Sequence, residues 1–209
     1  KSFIAALFCC LYAIFTPGAK IIIAGPTFRT ARLVFQYIDS FINSKGGELL
    51  SQCFTSYRRS PDQLTIEING GSIIAIPLNG EKIRGFRASV LVIDEYLLMP
   101  KTIIEDVLEP FLVSPSDLKE RIQIRERETE LIKEGKMKEG ERKIFEDKSK
   151  LIGLSSASYT FENLYVTYQK YKKAIEDPVD NGNATYFLAQ LAWNAVPPDM
   201  VNKNIIELG

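Results

Sequence analysis

The sequence contains no histidine. That absence removes imidazole general bases, histidine-containing zinc sites and Ser-His-Asp triads together. Cysteine is scarce, with only Cys9, Cys10 and Cys53. An odd number, two of them adjacent inside an apolar run, does not make a disulfide framework and points to a reducing setting. Net charge is missing too: 26 basic and 26 acidic residues cancel. No global basic field announces nucleic acid, so such a partner would have to be met by a local patch. No apolar run reaches the roughly 20 residues that span a bilayer. The run FIAALFCCLYAIF, 3–15, has 13, and we expect no membrane association. No methionine precedes Lys1, so we expect the N-terminus to have been cut.

The 209 residues, 45% of them hydrophobic, suffice for one domain, or one domain with a small appendage. Residues 3–15 admit two readings. With Lys1 in front and TPGA behind, residues 1–18 could be a signal peptide of a secreted binding or structural domain. The other reading is a helix buried on most sides. Beyond it, strands and helices alternate. KIIIAG, 20–25, is a β-branched run ending in glycine and proline, as buried strands do. RTARLVFQYIDSFI, 29–42, repeats its apolar residues at helical spacing, with Thr27 a candidate cap. LTIEINGGSIIAIPL, 64–78, is a hairpin around Asn69-Gly70-Gly71. SVLVID is the next strand and KTIIEDVLEPFLV the next helix. KLIGLSSAS, 150–158, is a core strand entering a serine-rich turn. ENLYVTYQKYKKAIED follows as a helix, and ATYFLAQLAW, 184–193, as a further strand. Helices falling between strands imply an α/β fold, a mostly parallel sheet with helices on both faces.

One segment differs in kind. Between residues 117 and 150, 21 of 34 residues are charged and proline is absent. We expect a charged helical insertion of two exposed helices, bent between Gly135 and Gly140 and supported by i,i+4 ion pairs.

The stretch VLVIDEYLLMP, 90–100, carries the chemistry. Ligands of open parallel sheets bind outside the carboxyl ends of the strands, where Asp94 and Glu95 fall. Side chains alternate along a strand, so adjacent carboxylates diverge unless the chain turns there. A turn would let the two act separately. One could hold Mg²⁺, a hard cation that prefers oxygen ligands, and the other could orient or deprotonate a water. The plainer alternative is an acid capping the next helix. Lys1-Ser2, followed at once by an apolar helix, has the form of the end of a phosphate loop. In such a loop the lysine reaches the β- and γ-phosphates of ATP and the hydroxyl binds Mg²⁺.

Together, KS opening a helix, IIIAGPTFRTARLVFQYI, EKIRGFRASVLVIDEYLLMP and LIGLSSASYTFENLYVTYQKY resemble the ATPase domain of the large terminase subunit of tailed bacteriophages. IRGFRA ahead of VLVIDE is the most specific element. The resemblance covers most of the chain outside 117–150. It implies a P-loop NTPase fold of the RecA/ASCE kind. Lys1 and Ser2 would end Walker A, and Asp94 (metal) and Glu95 (catalytic) would form Walker B. Ser155, Ser156 and Ser158 would form a coupling turn that senses the γ-phosphate. Arg84, with Arg87 second, would act as an arginine finger toward a neighbouring subunit. The implied cofactors are ATP and Mg²⁺. The implied partners are double-stranded DNA, the portal protein, the small terminase subunit and further copies in a ring, in the cytoplasm of an infected host. Residues 184–209 resemble the lead toward a nuclease domain. Because the glycine-rich loop would precede Lys1, residues 1–209 alone are expected to bind ATP poorly. A superfamily 2 helicase-like ATPase, also with strand-borne Asp-Glu and a later serine turn, is the alternative within enzymes.

Overall fold

A computed structural model describes residues 1–60, 63–78, 83, 85–113, 118–143, 149–156, 163–177 and 185–190. The chain divides into two compact units, 1–157 and 158–209. The first is built on a six-stranded sheet. Its strands are β1 (Lys20–Ala24), β2 (Phe54–Arg59), β3 (Leu64–Ile68), β4 (Gly71–Ala75), β5 (Val90–Ile93) and β6 (Lys150–Gly153), in spatial order β2-β3-β4-β1-β5-β6. β1 runs parallel to β4 and to β5, and β5 parallel to β6. β2, β3 and β4 form an antiparallel meander at one edge. The β3–β4 turn has Asn69 and Gly70 both at positive φ, 48° and 72°. That matches the twist a two-residue hairpin needs and is why Asn-Gly stands there.

Burial explains the sequence pattern. β1 and β5 are buried on both faces, hence their unbroken apolar runs. One face carries Ile21, Ile23, Ile66, Ile68, Ile73, Val90 and Val92. Against it pack α1 (Ser2–Phe15) and α2 (Phe28–Ile42). The cap expected at Thr27 is present and forms a capping box with Thr30, Thr27 Oγ1 accepting from Thr30 N at 3.3 Å. On the opposite face lie Ile22, Leu91 and Ile93, and a helical segment over 101–113 buries Ile104, Leu108 and Phe111 while packing on β5. That segment is α4 (Lys101–Ile103), a π-helical turn (Ile104–Leu108) and α5 (Pro110–Val113), not one continuous helix.

α1 departs from the helix buried on most sides. Its buried residues are all small: Ala5, Ala6, Cys9, Cys10 and Ala13. Small side chains let the helix lie close on the sheet; Phe8, Tyr12 and Ile14 pack against the core partly buried, while Ile4 at 66% and Phe15 at 79% exposure are turned outward. The run is thus part of the core, against the signal-peptide reading. No helix of the described residues is long and apolar enough to cross a membrane.

Two further expectations are revised. A short helix α3 (Glu48–Cys53) and the edge strand β2 lie where no element was expected. Residues 185–190 form no strand, and 184 and 191–193 of the expected strand lie outside the described residues. In the insertion, α6 (Leu118–Lys133) is a helix as expected; residues 144–148, where the second expected helix would run, lie outside the described residues, and among those described the chain after Gly135 makes a 3₁₀ turn at Glu139–Glu141. It then folds back on α6, where Glu128 accepts from Lys143 N at 2.7 Å and from Arg125 Nη1 at 3.0 Å. The Lys143 N–H is the chief cause holding the Glu128 carboxyl below its ordinary range. The second unit contains α7 (Asn163–Glu176), with Tyr171 edge-on to Tyr186 at 5.0 Å.

Candidate active site

β5 ends at Ile93, and the ladder carries one bond further, Asp94 N donating to Ala24 O at 2.9 Å. Asp94 is therefore fixed in the sheet's central layer, 1% exposed. A buried carboxylate needs partners, and it has them. Its Oδ2 accepts from Ser2 Oγ at 3.1 Å, and its Oδ1 from Glu95 N at 3.1 Å. Ser2 opens α1, so the start of the first helix meets the end of the fifth strand.

Glu95 turns the chain. It is left-handed, φ 53° and ψ 50°, ahead of a 3₁₀ turn at Tyr96–Leu98. Non-glycine residues adopt this conformation at a cost of roughly 1–2 kcal/mol. The strand alternation is broken, and both carboxylates face the start of α1. Glu95 Oε1 lies 2.7 Å from Lys1 Nζ, while Lys1 Nζ also donates to Ser156 Oγ at 3.2 Å. The side chains of Lys1 and Glu95 are 33% and 29% exposed. At that exposure the ion pair adds little stability, but both groups remain open to a ligand.

The loop after β6 closes the site from the other side. Leu154 N donates to Ile93 O and Tyr96 N to Leu154 O, each at 2.9 Å. Ser155 Oγ accepts from Leu97 N at 3.2 Å. Of the expected serines, then, only Ser156 reaches Lys1 among the described residues, while Ser155 is spent on the backbone behind Glu95. Nothing in the sequence distinguishes these two neighbours, because the difference lies in where a main-chain N–H two residues beyond Glu95 happens to point. Ser158 and Arg84 lie outside the described residues. Arg87 is exposed and is not brought to Lys1, Asp94 or Glu95 by any described contact.

The donor set suits a divalent cation on a phosphate. Ser2 and Asp94 offer hard oxygens beside one ammonium, and a second carboxylate stands apart from them. Among the described residues no group of three or more His, Cys, Asp or Glu side chains could hold a metal alone. Mg²⁺ accordingly fits better than a metal needing a full protein cage, since it keeps waters and takes substrate phosphates as ligands. A surface depression of about 570 Å³ along α6, lined by Arg121, Arg125 and Lys133 among others, holds none of these residues.

Comparison with known proteins comes from two directions. A family model described as the terminase large subunit, T4likevirus-type, N-terminal, matches residues 1–132. Among solved structures, the large terminase from a thermophilic bacteriophage is similar, with 15% identity, TM-score 0.52, and 84% of this chain and 35% of that one covered. The HK97 bacteriophage large terminase is similar with 12% identity, TM-score 0.55, and 85% and 31% covered. The chain thus spans about a third of the length of these two proteins, and at such identities the likeness is one of fold. No curated protein matches the sequence.

Proposed function

Since the chain belongs to the large terminase subunit family, in the N-terminal region of its T4-like type, we propose that it is the ATP-hydrolysing part of a motor driving double-stranded DNA into a phage capsid. One observation carries this reading. Two residues at the start of the chain and two at 94–95 meet as Ser2–Asp94 and Lys1–Glu95, at 3.1 and 2.7 Å. A structural pair alone would not require a left-handed glutamate at the end of a central strand.

Ser2 and Asp94 would hold Mg²⁺ between them. When bound, that ion offsets charge on the β- and γ-phosphate oxygens of ATP. Lys1 supplies the second positive charge to the same oxygens. Glu95 orients the attacking water and takes its proton. Lys1 cannot serve phosphate while held by Glu95, so nucleotide arrival exchanges the carboxylate for phosphate and frees Glu95 toward the water. Ser156, hydrogen-bonded to Lys1, is placed to register that exchange. Ser158 and an arginine of 81–89, Arg84 before Arg87, belong to the same reading on sequence grounds.

In this role the partners are double-stranded DNA, the portal protein, the small terminase subunit and further copies in a ring, in the cytoplasm of the infected host. Residues 1–209 act as the ATPase domain, with 184–209 leading toward a nuclease domain. The full-length protein tests the reading. Glu95→Gln should bind ATP normally and lose hydrolysis by about 10²-fold or more, because an amide cannot take the proton. Asp94→Asn should weaken Mg²⁺-dependent ATP binding as well. Hydrolysis by Glu95→Gln at the parental rate would overturn the assignment.

A further inference from the structure

The left-handed Glu95 raises the question of what holds it. A residue in a costly backbone conformation persists only where its surroundings determine it. Asp94, before it, is locked by the sheet. After it, Tyr96 and Leu97 are anchored through their main chains by the loop that follows β6. Tyr96 N donates to Leu154 O at 2.9 Å, and Leu97 N to Ser155 Oγ at 3.2 Å. The loop is itself tied to β5 by Leu154 N donating to Ile93 O at 2.9 Å. Packing reinforces the seam: a Cβ added to Gly153 would lie 3.0 Å from Cδ2 of the buried Tyr96 ring.

We infer that Ser155 is a positioning residue, holding through the Leu97 N–H the turn that aims Glu95 at the front of the site, and that it does not contact nucleotide. The inference rests on the proposed hydrolytic role of Glu95. It gives the two adjacent serines opposite roles. Ser156 faces the Lys1 ammonium, and Ser155 holds the backbone behind the carboxylate. A hydroxyl is needed at 155 because the bond to a main-chain N–H requires an acceptor there, and alanine has none.

Two measurements on the full-length protein separate this from a nucleotide-contact role. Without nucleotide, Ser155→Ala should speed hydrogen exchange of the Leu97 amide by roughly three- to tenfold, the worth of one hydrogen bond. Ser156→Ala should leave that exchange unchanged. In turnover, Ser155→Ala should lower kcat by roughly tenfold while KM for ATP stays within about twofold, as loss of a group acting only on the reacting geometry does. Ser155→Thr, which keeps the acceptor oxygen, should restore both. A raised KM with kcat unchanged would overturn the inference in favour of nucleotide contact. So would unchanged exchange, or faster exchange with kcat unaffected. The exchange result does not depend on hydrolysis, whereas parental activity in Glu95→Gln would sink the hydrolytic reading itself. The two failures are therefore distinguishable.

Discussion

Gly71 and Gly140 show how differently one residue type is used. A Cβ on Gly71 would fall 2.1 Å from the carbonyl oxygen of Ala19, a backbone atom that cannot swing aside. Gly71→Ala should therefore cost on the order of 3 kcal/mol or more. At Gly140 nothing lies within 4 Å and φ is not positive, so Gly140→Ala should be neutral or gain up to about 0.5 kcal/mol by restraining the unfolded chain. Denaturant midpoints of the two variants would check this, and equal midpoints would contradict it. At this scale the sequence was informative where a residue type has few uses. Asp-Glu after an apolar run, and Lys-Ser before a helix, were readable as a candidate site, and the structure brings all four residues together. Ser155 was not readable, because a serine serves a ligand or a main-chain amide equally well.

Among the elements, those with unbroken or periodic apolar patterns were legible: β1, β5, the Asn-Gly hairpin and α2; β6 was legible as a strand but not as the core strand expected, since it ends the described sheet and none of its residues is fully buried. β2 was not, because FTSYRR buries little and is a strand only through its pairing with β3. α3 is a short turn of helix with no buried residue, so no apolar pattern marked it. Residues 184–193 carry strand-like side chains but, over 185–190, no strand partner to make a ladder. α1 was legible as a helix but not in orientation, since its fully buried residues are the small ones. That orientation sets the chemistry of its thiols. Burial pushes the Cys10 thiol from about 9 up to about 12. Burial and the neighbouring Cys10 raise Cys9 still further. Because the folded-state values are raised, this contribution is fully present below pH 9. It is lost as pH climbs from 9 toward 12, where the unfolded chain ionises first. Stability should decline over that window, and less so in Cys10→Ala; a window unchanged by the substitution would count against burial as the cause. Native protein at neutral pH should titrate only the exposed Cys53 with a thiol reagent.

For the molecule as a whole, family membership separates readings that composition left open. The terminase reading stands, and the helicase-like alternative loses its support. The ring proposed above makes its own demand. If an arginine of 81–89 acts on a neighbour's site, mixing Arg84→Ala with Glu95→Gln subunits should recover part of the activity, because one shared site then has both groups. Mixed rings of verified assembly that stay inactive would remove Arg84 from that role. A final consequence follows from the left-handed glutamate. Glycine adopts that conformation without the steric cost, so Glu95→Gly should raise the melting temperature even as it discards the carboxylate. A mutant library sorted for heat resistance alone would enrich a variant without the carboxylate proposed to act on water. Anyone hardening this protein for use would have to hold position 95 constant and accept the lower melting point that comes with that carboxylate.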